Sequence, residues 1–237
     1  MNNVISITEI KVIDSVKGDL NYFRMACWHK FYNKKDFEGL LPIWKCSTLI
    51  IGTFHPESSY FINCQTNFFY QQEKNHFWTV LPQLIGMEPI DKSATDYQIN
   101  FLKKHTIGLT DLLISINDVD EKCKFHKVLM STGRDDIFEK FKEFTWNTNS
   151  ILEYIKNSKI NAVLFTKIGT PDKIKISTNS FEYQMRIIES YCQSNNIYHQ
   201  RLHAPSGMGS GKGKRVDTLQ SKWVEIIGEN VKLLNSF

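Results

Sequence analysis

The sequence predicts an α/β fold: a three-layer αβα sandwich around a mostly parallel central sheet of roughly four strands. Three observations carry this. Strand candidates recur at residues 47–54, 106–114, 160–165 and 197–202, the first of them almost wholly apolar. Between and after them lie segments whose apolar residues repeat at helical spacing. No repeat, low-complexity tract or Gly/Ser/Pro-rich linker divides the chain, so one domain accounts for its 237 residues.

The first run, STLIIGTF over residues 47–54, is almost wholly apolar and reaches glycine near its end, the pattern of a strand covered on both faces. Residues 1–46 read as a helical lead-in, with 1–36 as an extension packed on a domain spanning 37–237. A polar and aromatic loop over 55–74 leads to a helix with Asn75 as its N-cap and Phe77, Trp78, Val80, Leu81 and Leu84 on one face; Pro82 limits its length. Residues 151–157, 181–193 and 218–234 complete the helices. In such sheets ligands sit beyond the carboxyl ends of the strands, which directs attention to the residues after Phe54, Leu113, Phe165 and Leu202.

Composition narrows the classes. Hydrophobic residues at 41% and charged residues at 23% exclude a disordered tail, and Lys+Arg at 29 against Asp+Glu at 25 leaves a net +4, compatible with a polyanionic partner but far from a histone-like binder. The five cysteines are odd in number and widely spaced, so they read as reduced thiols and not as a metal-ligand set. No run of apolar residues reaches membrane-spanning length, and the start MNNVISITEIKVID is unlike a secretion signal. A cytoplasmic monomer without metal, cofactor or membrane association is expected.

Three segments carry chemistry. In Gly52-Thr53-Phe54-His55-Pro56-Glu57, glycine lets the backbone approach a ligand and proline fixes the turn that displays His55 and Glu57. In residues 68–78, five aromatics precede and enter the helix; Phe77 and Trp78 belong to the core, while Phe69 and Tyr70 stand where an aromatic stacks on a base. In residues 202–215, four glycines alternate with Lys212, Lys214 and Arg215, and no carboxylate occurs between Cys192 and Val216, which suits a phosphate chain. A P-loop is excluded, because Gly213 follows Lys212 where Ser or Thr is needed.

Taken in order, these segments resemble the uracil-DNA glycosylase superfamily, particularly its mismatch-specific and hypoxanthine branches. The likeness runs over roughly residues 37–225: the lead-in FEGLLP, the Gly-to-Pro motif after the first strand, the aromatic run, IGLTDL at 107–112, the INAVLF strand, and Ala204-Pro205-Ser206-Gly207-Met208 as the second motif. The resemblance implies a three-layer fold and an enzyme that flips a deaminated or mismatched base out of duplex DNA and hydrolyses its N-glycosidic bond. By position it implies that His55, directly before Pro56, orients the water; residue chemistry adds Glu57 as a base that polarises the water and His203 near the leaving base as the other catalytic candidates. Base binding falls to Gly52, Thr53, Phe54, Pro56, Phe69, Tyr70, Asn75 and Asp111. DNA contacts fall to Pro205, Ser206, Gly207, Met208 as the wedge, Lys212, Lys214 and Arg215. His55 stands where relatives carry Asn or Asp, and Ala204 where they carry Asn or His. These substitutions keep open a binding module of the same fold without hydrolysis, and a hydrolase of free nucleosides or nucleotides.

Overall fold

A computed structural model of the chain describes residues 26–57, 59–60, 66–120, 122–169, 176–206 and 216–235. Its centre is a four-stranded, all-parallel sheet ordered β5-β4-β8-β9, formed by β4 (Thr48–Gly52), β5 (Ile107–Asp111), β8 (Ala162–Phe165) and β9 (Tyr198–Arg201). All four expected strands are present, and the first of them lies inside the sheet with later strands added on both sides. The order therefore reverses at β4, where an α/β sheet opens its ligand crevice.

Side-chain alternation along the strands builds the layers. Leu49, Ile51, Val163 and Phe165 point to one face and pack with Ile151 and Ile155 of α5 (Thr148–Asn157) and Phe181, Met185 and Ile188 of α6 (Phe181–Ser194). Ile50, Leu109 and Leu164 point to the other, against Phe77, Trp78 and Leu81 of α1 (Phe77–Leu84), Phe101 and Leu102 of α2 (Thr95–Lys104), and Leu219 and Trp223 of α7 (Val216–Ile227). Apolar residues at consecutive strand positions thus serve two separate cores, and the run STLIIG carries no polar face because neither face meets water.

Several elements differ from expectation. The described part of the helical lead-in, residues 26–46, consists of turns, β1 (Cys27–Trp28) and the hairpin of β2 (Phe37–Glu38) with β3 (Leu41–Pro42). Residues 1–25 lie outside the described residues. The stretch 106–114 is two strands: after Asp111 the chain leaves the parallel sheet at Leu112, and β6 (Leu113–Ile116) pairs antiparallel with β1 and with β7 (Phe144–Trp146). Asn147 secures this branch point, its amide donating to Thr110 Oγ1 and to the Asp111 carbonyl, both at 3.0 Å. The closing helix stops at Ile227 because Gly228 adopts a positive φ of 53°, and a 3₁₀ segment, Gly228–Asn235, follows. Helices α2, α3 (Lys124–Ser131) and α4 (Asp135–Phe138) complete the chain order.

Pro82 sits inside α1, where it has no N–H to give the Trp78 carbonyl. The Ile90 N–H, folded back from beyond the helix, donates to that carbonyl at 2.8 Å, so the proline shortens the helix without leaving an acceptor unpaired. At the other end Asn75 stands one residue before the N-cap, His76, and its Oδ1 accepts from the Phe77 N–H at 3.0 Å. Leu164 lies at the middle of β8 with only 2% of its surface exposed. Leu164→Ala is expected to destabilise the fold by about 2–5 kcal/mol, lowering the melting temperature by about 2–4 °C per kcal/mol in a calorimetric scan.

Candidate functional site

The strands end in register, Gly52 beside Asp111 and Ile51 beside Phe165, and the chain segments leaving that edge enclose a cleft of about 800 Å³. Thr53, Phe54 and His55 enter it from β4, Asp111 from β5, Thr166 to Gly169 from β8, and His203 to Ser206 from β9. Phe69, Tyr70 and Asn75 of the aromatic run close the remaining side. Parts of the three segments singled out in the sequence therefore meet around one space, together with the ends of β5 and β8.

The floor depends on a missing side chain. A Cβ on Gly52 would collide with Asp111 Oδ1 and would lie 2.6 Å from the Tyr70 hydroxyl. Glycine lets both groups close over the end of β4. Asp111 is 5% exposed; its Oδ2 accepts a 2.8 Å hydrogen bond from His29 Nε2, while among the described residues none donates to Oδ1. Tyr70 holds a left-handed backbone, φ 59°, stacks on Phe77 at 4.1 Å and 16°, and places its hydroxyl 3.2 Å from Thr166 Oγ1. Burial, and then the Asp111 carboxylate, drive the Tyr70 hydroxyl far above its ordinary pKa, so it is a neutral hydrogen-bonding group at every working pH.

His55 lines the cleft and is 8% exposed, its Nε2 3.1 Å from Thr66 Oγ1. Burial first, then His29 and Lys30, push its pKa down to about 3. Phe69 is buried among His29, Phe31, Phe37 and Phe68, so it forms the wall behind the cleft, whereas half-buried Tyr70 is the more accessible of the two aromatics. Glu57 does not join the others. Its carboxylate turns back to the Trp28 N–H at 3.3 Å, in a second depression beside Lys30 and Tyr32. Pro56 pairs with His29 in an isolated bridge, which holds the 52–57 segment against 28–30.

The second motif is anchored to the helix that follows the aromatic run. Ser206 bridges Asn75, the Pro205 carbonyl accepts from the His76 N–H at 2.9 Å, and the His203 carbonyl accepts from Trp223 Nε1 at 2.9 Å. Gly207, Met208, Lys212, Lys214 and Arg215 lie outside the described residues. Arg201, the last residue of β9 and just before this stretch, faces elsewhere: it forms ion pairs with Glu182 and Glu189 at 2.8 and 2.6 Å. The rim also carries Lys74 and the pairs Lys167–Asp135 and Arg134–Asp136, each pair 2.7 Å apart.

The sequence reading missed His29 and Thr166. Thr166 follows a buried strand directly and was reachable from the rule about carboxyl ends; His29 sits in the lead-in and carries no local signal. Among the described residues no group of three or more His, Cys, Asp or Glu is placed to hold a metal ion, and no helix is long and apolar enough to cross a membrane.

The His55 pKa has a consequence for stability. Above about pH 6.5 the imidazole is neutral folded or unfolded; below it only the unfolded chain takes the proton, so stability falls with pH down to about 3. Urea melts at about pH 7 and pH 4.5 should show the wild type losing about 2 kcal/mol more than His55→Gln over that interval. Equal losses would mean that His55 titrates normally.

No protein-family model matches the chain, and no curated protein matches it. Among solved structures it is similar to the solution NMR structure of a protein described as a candidate uracil DNA glycosylase from Methanosarcina acetivorans. The two are 17% identical, the match covers 79% of this chain and 92% of the other, and the TM-score is 0.48.

Proposed function

We propose that the chain is a DNA glycosylase-like enzyme that receives a base flipped from duplex DNA into the cleft and hydrolyses its N-glycosidic bond. The observation that carries the reading is the meeting of residues 53–55, 69–75 and 203–206 around one cleft with the Asp111 carboxylate at its floor. These are the segments whose residue chemistry suits a base, a sugar and a phosphate chain, and the third lies far along the chain from the first two.

In this reading Tyr70 flanks the base and the walls exclude bulk water. Asp111 Oδ1 accepts a proton from a water molecule whose oxygen attacks the sugar C1′. The C1′–N bond breaks and its electron pair leaves with the base. His203 faces the departing base and supplies or shares the proton it gains. His55, uncharged at neutral pH, acts as a hydrogen-bonding group at the water and not as an acid. The carboxylate role falls to Asp111 and not to Glu57, because Asp111 lines the cleft and Glu57 lines the second depression. Asn75 contributes to recognition: with its Oδ1 held by the Phe77 N–H, the amide NH₂ is the half available to a base carbonyl.

The test is excision from duplexes carrying uracil, hypoxanthine, xanthine or thymine opposite guanine, read as strand breaks after alkali. Product is expected from at least one of them, and Asp111→Asn should lower its rate by about 10²–10⁴-fold while DNA binding stays within a few-fold. No product from any substrate would overturn the enzyme reading; salt-dependent binding in that same preparation would favour the binding module. A separate measurement addresses the loop: replacing Lys212, Lys214 and Arg215 with alanine should reduce the slope of log K against log salt by up to about 3. An unchanged slope would remove those side chains from the DNA interface.

A further inference from the structure

His29 is 2% exposed and lies within an aromatic cluster, its ring centroid 5.7 Å from Phe31, 5.7 Å from Phe54 and 5.6 Å from Phe69. An imidazole in such surroundings is costly unless both nitrogens are satisfied. Both are. The Phe31 backbone N–H donates to Nδ1 at 3.1 Å, so Nδ1 is an acceptor there and the proton resides on Nε2, which donates to Asp111 Oδ2 at 2.8 Å. A phenylalanine would fill the same volume with no polar atom to satisfy. What histidine adds is the bond to Asp111.

Its backbone is fixed from both sides. The His29 N–H donates to the Ile114 carbonyl at 2.8 Å, and the adjoining Lys30 N–H to the His55 carbonyl at 2.8 Å, so β6 and the 52–57 segment hold the residue between them. We infer that His29 is a positioning residue: in its Nε2–H tautomer it anchors one oxygen of Asp111 so that the other, Oδ1, faces the cleft above Gly52. The inference rests on the proposed role of Asp111, and it joins the lead-in to the site.

Long-range ¹H–¹⁵N correlation on ¹⁵N-histidine protein tests the tautomer without any need for turnover. His29 is expected to show a protonated Nε2 and a bare Nδ1; a proton on Nδ1 with a bare Nε2 overturns the inference. Excision kinetics test the positioning. His29→Phe should lower kcat about ten- to a hundredfold with KM within about twofold, as a small misplacement of a reacting group does, and His29→Gln, whose amide N–H reaches the same oxygen, should recover most of the loss. Wild-type kcat in His29→Phe, or equal loss in His29→Phe and His29→Gln, overturns it. If the wild type excises no base, the proposed function falls, and the His29 assignment is decided by the ring-nitrogen spectrum alone.

Discussion

The close approach of Asp111 and Tyr70 over the end of β4 is what the cleft is built around, and it exists because position 52 has no side chain. The parallel register sets Gly52 opposite Asp111, so any Cβ there would take the volume that the carboxylate occupies. Tyr70 reaches this place only by adopting a left-handed backbone, which costs a non-glycine residue about 1–2 kcal/mol. Ring stacking on Phe77, worth about 0.5–1.5 kcal/mol, offsets much of this, and the hydroxyl contact with Thr166 adds to it. The strained residue, the missing side chain and the strand register are thus one arrangement, and each would be unfavourable without the others.

Charge around the cleft is assigned rather than diffuse. Tyr70 and His55 are held neutral by burial. Asp135 and Asp136 at the rim are each matched to a cation, Lys167 and Arg134. Below the segment that follows β8, Arg201 is shared by Glu182 and Glu189, and its Nη1 also donates to the Ile168 carbonyl, so this guanidinium shapes a wall of the cleft and is committed to its carboxylates. Glu182 is almost fully buried and also pairs with Arg186 at 2.7 Å, so removing Arg201 would take away one of its two cations. Asp111 differs from the rim carboxylates: it is partnered by a histidine, and its second oxygen lies over Gly52.

The architecture was legible wherever a single segment carried its own pattern. An apolar run closed by glycine, as in TLIIG, is a buried strand, and the four strand candidates form the parallel sheet, with the helices at 148–157 and 181–194 close to where periodicity put them. The division of 106–114 was not legible, because both halves are apolar and extended; only the partners β1, β7 and Asn147 determine where the chain changes sheets. At the site the same limit recurs. Gly52 and Tyr70 were picked out by local chemistry and Asp111 and His203 only through the family resemblance, but His29 lies 82 residues from the carboxylate it bonds, and nothing within ACWHKFY distinguishes a histidine that orients a carboxylate from one that fills a core. Glu57 misled for a related reason. Alternation puts residues 55 and 57 on the same side of an extended chain, yet pairing of this segment with 28–30 gives the Glu57 carboxylate a backbone donor at Trp28, on the far side of the wall.

The manner in which the walls are joined bears on how the cleft would select a ligand. The aromatic run is tied to α1 by the Trp78 indole, which donates to the Phe69 carbonyl at 2.8 Å, and α1 is tied to the second motif through His76 and Pro205. That motif is in turn tied to α7 by the Trp223 indole. Two buried tryptophans on helices of one core therefore hold the two segments that would flank a base in the proposed function, and neither segment can shift without breaking a hydrogen bond to a buried partner. Polar groups fixed in advance do not have to be ordered when a ligand arrives, so more of the contact energy goes to binding or to the transition state. They also fail to adapt to a mispaired edge: a group left facing the wrong donor or acceptor in a closed cleft loses its hydrogen bond to water as well, at about 1–3 kcal/mol. In the proposed function, discrimination among bases would follow from rigidity of the walls together with the fixed orientation of Asn75 and Asp111, and both are set by hydrogen bonds within the protein before any ligand is present.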